Sequence, residues 1–240
     1  MAQHYGARDP LSGITSSGLV LFIHPSLKQC YNGGSTITDL VNGFSYTASN
    51  MSLDQSGNFV FNGSNSNIQT GQSMIDNGTS YTLSSSSDDY TLEAWIYVET
   101  SSGTDTTADS IIGSSGSYGV GMQVGINGGV PRMNFGSRST NNFYGNNFTY
   151  NSWKHVVWSH DTGVGSTVYM NGSQDVTSSG ASYQISGNSS DWGTIGIGYS
   201  SPRVPNYFDG KMGPIRMYNR AITSTEVAKN FNASKARYGL

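Results

Sequence analysis

Charge is what this chain has least of. Asp, Glu, Lys and Arg make up 11% of its 240 residues and leave a net charge of −3. That balance provides no broad basic face, so nucleic-acid binding is not expected. Glutamate is scarcer still, with only Glu93, Glu99 and Glu226. Glycoside hydrolysis needs two carboxyl groups at a defined separation. Glu93 has no carboxylate two residues to either side, and the adjacent Asp88 and Asp89 would face opposite ways on a strand. No G-x-S-x-G elbow accompanies the histidines. His155 and His160 lie five apart and so fall on opposite faces of one strand. The chain is therefore expected not to be an enzyme.

The single cysteine, Cys30, cannot close an intrachain disulfide, so the fold is not expected to depend on oxidation. One cysteine and four histidines show no zinc spacing. No apolar run approaches the length of a membrane span, and no membrane partner is expected. The N-terminus has no basic start followed by an apolar stretch, so export by a signal peptide is not expected either. Heptads of the kind that build a fibre shaft are missing.

What is present is a chain of small neutral polar residues with 12% aromatics and 31 glycines. Such a composition favours turns and strands over helices. Residues 151–172 (NSWKHVVWSHDTGVGSTVYMNG) carry the clearest pattern. Trp153, His155, Val157 and Ser159 alternate with Lys154, Val156, Trp158 and His160, as on a strand. Asp161 to Gly165 supply a turn, Thr167 to Met170 return as a strand, and Asn171-Gly172 supply a turn that accepts positive φ.

Further strands are predicted at 18–24, 58–62, 90–98, near 110–113, 118–126 and 130–136, at 192–199 and near 212–219. Trp95 lies on the polar side of the alternation in YTLEAWIYV, which predicts that both faces of this strand are covered. Pro202 and Pro205 predict a loop over 200–206. Residues 99–109 read as an exposed polar loop. Thr223 and Glu226 form a capping box that opens one helix, with Val227, Ala228 and Phe231 on one face. Gly239 stands past its end, where a left-handed residue is wanted. Residues 1–17 read as an N-terminal arm and 18–240 as one domain. The Asn-x-Ser/Thr sequons at Asn62, Asn147 and Asn171 are expected by chance in such a chain and carry no weight.

From about residue 18 onward, this order of features resembles concanavalin A-like, laminin-G-type jelly-roll domains. The matching segments are GNFVFNG at 57–63, TLEAWIYV at 91–98, WKHVVWSHD at 153–161, VYMNG at 168–172 and FDGKMGPIRMYNRAITSTEVAKNFNASKARYGL at 208–240. The last segment is similar to a version of the domain found in virion structural proteins of tailed bacteriophages, including cyanophages. The resemblance implies an all-β fold: two antiparallel sheets in a jelly-roll sandwich with a short C-terminal helix, and Trp95 and Trp153 filling the core or wrapping its edge.

Several sites follow as expectations. Relatives often hold calcium at the sandwich rim. Asp161, Asp191 and Asp209 are loop carboxylates, but Gly213-Pro214 replaces the acidic pair of many relatives, and no calcium ligands are assigned. No other cofactor is expected. Tyr144, Phe148, Tyr150, Trp192 and Tyr207 lie near Asn-rich loops and could contact a glycan or a protein. Lys211, Arg216, Arg220, Lys229, Lys235 and Arg237 are half of all the Lys and Arg, gathered in the last thirty residues. They form a candidate docking surface for an acidic partner.

Two functional readings stand. The first is a non-enzymatic structural protein on the surface of a tailed-phage virion, a capsid decoration or knob protein assembled in the host cytoplasm. Its partners would be the major capsid protein or tail proteins, and it would form a homo-oligomer. The second is a lectin-like module of a tail fibre or bacterial surface that binds a cell-surface glycan.

Overall fold

A computed structural model describes residues 11–71, 89–101, 109–114, 121–127, 130–136, 143–178, 193–200 and 204–240. The first strands are β1 (Leu19–Ile23), β2 (Thr36–Thr38), β3 (Ser45–Ser49), β4 (Ser52–Leu53), β5 (Phe59–Asn62) and β6 (Asn67–Gly71). Then come β7 (Tyr90–Thr100), β8 (Asp109–Ser114), β9 (Gly121–Asn127), β10 (Val130–Gly136), β11 (Phe143–Asn147) and β12 (Trp153–Asp161). The last are β13 (Gly165–Met170), β14 (Ser173–Ser178), β15 (Gly193–Ile195), β16 (Ile197–Ser200), β17 (Val204–Tyr207) and β18 (Asp209–Tyr218). Helix α1 (Ser224–Ser234) follows, continued by a 3-10 turn over Lys235–Tyr238.

The strands form two eight-stranded antiparallel sheets and a small ribbon. The first sheet runs β14-β13-β12-β7-β18-β5-β4, with β1 also on β18. The second runs β11-β10-β9-β8-β15-β6-β3-β2, and β16 pairs β17 alone. Alternation decides which side chains meet between the sheets. Leu92, Ala94, Ile96, Val156, Trp158 and Met217 from the first sheet pack with Met122, Val124, Met133, Phe135 and Ile195 from the second. Each such side chain removed from water contributes roughly 1.5–3 kcal/mol. The expected all-β jelly-roll sandwich with a short C-terminal helix is the fold observed.

The outer face of the first sheet is covered as well. Ile14, Phe22, Val157, Tyr218, Ile222 and Val227 form a second apolar cluster there. Trp95 stacks between Tyr238 (ring centroids 4.2 Å apart) and Phe231 (5.7 Å). The C-terminal segment is thus a lid on this sheet. Its cap is the predicted one: Thr223 Oγ1 accepts from Glu226 N, and Glu226 Oε2 accepts from Thr223 N. Gly239 adopts φ 74° just after the 3-10 turn.

Local turn chemistry explains two more features. Asn171 and Gly172 have φ 52° and 78°, as the central hairpin requires of the turn into β14. Gly196 breaks β15 from β16 at φ 77°, and a Cβ there would lie 2.1 Å from the Phe61 ring.

Three expectations change. Residues 11–17 are not an arm: Ile14 and Thr15 are buried, and Thr15 N donates to Asn230 Oδ1 at 2.7 Å. Residues 1–10 of the predicted arm lie outside the described residues. The predicted loop at 200–206 contains strand β17, where Pro205 pairs with Tyr199. Both strands of a two-stranded ribbon are edges, and an edge tolerates a proline. Strands β2, β3, β4, β6, β11 and β14 are additional to those predicted; their short or polar sequences hide the alternation.

Candidate functional site

Of the four singled-out aromatic residues that the structure describes, only Tyr144 stands in a row of outward-facing polar side chains. Ser110 on β8 opposes Gln123 on β9, Gln123 opposes Asn134 on β10, and Asn134 opposes Tyr144 on β11. Their chain neighbours Met122, Val124, Met133, Phe135 and Phe143 belong to the core between the sheets. Side chains alternate along a strand, so the four-residue row lies on the outer face of the second sheet. Ser110, Gln123 and Asn134 are buried, while Tyr144 is half-buried at the edge strand.

Arg132 lies two residues before Asn134 and shares its face. Its Nε donates to Oδ1 of the exposed Asn147 at 2.7 Å. Gly125 is directly across from Arg132 on β9 and puts no side chain beside it. A phenol ring, a guanidinium and an amide therefore converge at one end of the face, above buried amides. The edge is braced from the other sheet, since Asp175 on β14 accepts from Asn146 N (2.9 Å) and Asn146 Nδ2 (2.8 Å).

The other aromatics are placed differently. Phe148 and Tyr150 pack against the core with their rings edge-on, 6.4 Å apart. Tyr207 is half-buried on β17. Trp192 lies outside the described residues. Gln123, Asn134 and Arg132 were missed in the sequence, although each alternates with a core residue; only the cross-strand register makes them one site.

The basic cluster is dispersed by the fold. Arg216 is corrected outright: it is 2% exposed and its Nη1 donates to the buried Glu93 carboxylate. It cannot serve as a docking residue. Arg220 is held by Glu226 (Nη1 to Oε2, 2.9 Å) and by Ser17 O (3.0 Å). Lys211 lies over the Tyr97 ring, 4.0 Å from Asp54, and Lys235 lies over Phe231. Arg237 is exposed and donates to Ser26 Oγ at 2.9 Å; Lys229 is exposed. The C-terminal motif is thus largely engaged in holding the lid.

Glu93 lies at the centre of that lid. It is 0% exposed, with Oε1 2.9 Å from His155 Nε2 and Oε2 accepting from Asn230 Nδ2 at 2.7 Å. Burial pushes the carboxyl up, but the Arg216 charge, with His155 and Asn230, outweighs it and holds the pKa at about 2. A carboxylate so saturated with partners is a structural anion rather than an acid or base. His160 is also buried; its Nδ1 is 2.9 Å from Ser166 Oγ, and burial lowers its pKa.

For calcium, Asp161 Oδ1 accepts from Gly163 N at 2.8 Å, and Asp209 Oδ2 accepts from Thr100 Oγ1 at 2.6 Å. Asp191 lies outside the described residues. Among the described residues no three His, Cys, Asp or Glu side chains gather as a metal site. Among them, too, no helix is long and apolar enough to cross a membrane.

A family model described as the Concanavalin A-like lectin/glucanases superfamily, Laminin_G_3, matches residues 62–228. The chain belongs to this superfamily. No curated protein matches it in sequence. Among solved structures it is similar to the Trypanosoma rangeli sialidase in complex with 2,3-difluorosialic acid, at a TM-score of 0.68 and 17% identity over 93% of this chain. It spans only 34% of that sialidase chain. It is similar to domain 4 of AbnA, an extracellular arabinanase from Geobacillus stearothermophilus, solved with arabinotriose. There the TM-score is 0.63 and the identity 16%, over 90% of this chain and 99% of that one. It is also similar to the binding domain of botulinum neurotoxin DC in complex with rat synaptotagmin II, at a TM-score of 0.59 and 14% identity, over 90% of this chain and 51% of that one.

At these identities the likeness shows the fold. It also corrects the expectation that the chain is no enzyme. The same fold makes up part of sialidase chains, so a shortage of paired carboxylates within such a part does not exclude one. The likeness to phage virion proteins has no counterpart among these relatives.

Proposed function

We propose that this chain is a carbohydrate-binding module that holds a cell-surface or polymeric glycan on the outer face of its second sheet, at the β10–β11 edge. The observation that carries this reading is the row Ser110–Gln123–Asn134–Tyr144, with Arg132 and Asn147 beside its accessible end. A sugar ring presents an apolar C–H face and a rim of hydroxyls. Tyr144 supplies a ring for the face, and the guanidinium and amide supply donors and an acceptor for the rim. Buried Gln123 and Asn134 keep the floor polar and fixed. Ligand sites generally combine such an apolar surface with a few well-placed polar groups. Support comes from the superfamily's description, which includes lectins, and from the arabinanase domain of the same fold solved with arabinotriose.

The test is a broad glycan array followed by calorimetry on the best ligand. Tyr144→Ala is expected to weaken binding at least about tenfold, the loss of roughly one good aromatic contact, with an unchanged melting temperature. Silence of the folded protein across neutral and acidic glycans would sink the reading.

A further inference from the structure

Among the described residues, the strands of the second sheet place one formal charge on its outer face. Across all eight of its strands Arg132 is the only Lys or Arg, and Asp109 the only carboxylate. Asp109 is buried, accepts from Ser101 Oγ at 2.6 Å, and pairs with Val124, whose side chain faces the core. Arg132 forms no salt bridge among the described residues; its one hydrogen bond is from Nε to the neutral amide of Asn147. That bond orients the guanidinium and leaves both Nη groups without a partner among the described residues. Across β9, Gly125 leaves the space next to it clear of side chain. Tyr144 is diagonal to Arg132 across the β10–β11 pair, a spacing that long side chains and aromatic rings bridge.

An unpaired, oriented guanidinium on a sheet whose described strands carry no other accessible charge is a carboxylate receptor, because its planar fork matches two carboxylate oxygens. We infer that the glycan held at this edge is an acidic one, a sugar bearing a carboxylate, with the carboxylate on Arg132 and the sugar ring against Tyr144. This rests on the glycan-binding reading of the same face. Both uronic acids and sialic acids carry the required group, and they differ in where it stands on the ring.

The experiment is calorimetry on the full chain with matched pairs: trigalacturonate against its methyl ester, and sialyllactose against lactose. One acidic member is expected to bind about tenfold or more tighter than its neutral partner, the scale of one charge-assisted hydrogen-bond pair. Which pair shows the difference identifies the source. Arg132→Gln should abolish the difference while leaving the melting temperature unchanged. Arg132→Lys should retain part of it, as a charge without the fork. Equal affinity within both pairs overturns the inference and leaves the glycan-binding reading standing. An acidic preference that survives Arg132→Gln overturns it too, by moving the receptor elsewhere. Failure of every member to bind overturns the inference, and silence across the broad glycan array as well overturns both.

Discussion

Glu93 on β7 and Asn230 on α1, 137 residues apart, share a buried hydrogen bond of 2.7 Å. Asn230 extends the link: its Nδ2 also donates to Tyr218 Oη at 2.9 Å, and its Oδ1 accepts from Thr15 N. The helix and three strands of the first sheet therefore meet at one carboxylate, and Asn230 ties the N-terminal segment to it. Its partners make the ion tolerable in a dry site; losing Arg216 would leave a charge uncompensated, and losing Asn230 a buried acceptor unsatisfied.

Glu93→Ala is accordingly expected to destabilise the protein by about 3–5 kcal/mol, because Arg216 would remain buried and charged. Asn230→Ala should cost about 1–3 kcal/mol. Urea unfolding of the two single variants and the double variant gives the coupling. We expect the double variant to lose clearly less than the sum. Strict additivity would mean that the two residues do not act as one network.

Acid should weaken the fold in two successive windows. His24 is held down to about 4 from its ordinary 6.5, by burial first and then by the Arg237 and Arg216 charges. Below pH 6.5 the unfolded chain takes up a proton that the folded one refuses, so stability falls as pH drops from 6.5 to about 4. Glu93 is depressed from 4.5 to about 2. Its contribution is complete above pH 4.5 and is lost as pH falls through about 2. Thermal melts across pH 7 to 2 should show both declines. His24→Gln should lessen the first, which the lowered His160 shares, and Glu93→Gln the second, which the Arg220-paired Glu226 shares. A melting temperature that rises on acidification from 6.5 would contradict the first assignment.

The helix cap gives a smaller effect. Thr223→Ala removes the acceptor for Glu226 N and should cost about 1 kcal/mol. Because α1 carries Asn230 and Phe231 over the first sheet, the same change should raise amide exchange in the lid before it does so in β7 or β12. Uniform exchange across the molecule would show that the lid does not open separately.

How far these features could be read from the sequence depended on range. The hairpin at 153–170, the Asn171-Gly172 turn and the Thr223–Glu226 cap are fixed by neighbours a few residues apart, and each is observed as predicted. Arg216 was misread because its position in a basic cluster says nothing of a glutamate 123 residues away. Arg216 falls in the strand predicted near 212–219, and Trp95 predicts that the neighbouring strand is covered on both faces. Ser110, Gln123, Asn134 and Tyr144 become one site only through the register of four strands, which is set by the whole core. Residues 200–206 read as a loop because proline lowers strand propensity everywhere except at edges.

Gly213 tests the packing of the lid most directly. It lies in the bulge of β18, where the pairing with β7 shifts register between Met212 and Ile215. A Cβ at this position would lie 2.2 Å from Tyr238 Oη, 2.9 Å from Tyr238 Cζ and 3.1 Å from Trp95 Cβ. The missing side chain is what allows Tyr238 to lie flat on Trp95. Gly213→Ala should therefore displace Tyr238 and cost about 1–3 kcal/mol, the usual range for overpacking. Tyr238→Phe removes the nearest clashing atom at the expense of a long 3.4 Å contact to Asn58 Oδ1. In the Gly213→Ala background it should recover part of the loss, whereas alone it should change stability little. Chemical denaturation of the four proteins measures this, with tryptophan fluorescence reporting the Trp95 stack. If the double variant is no more stable than Gly213→Ala alone, the clash with the Tyr238 hydroxyl is not what the glycine avoids.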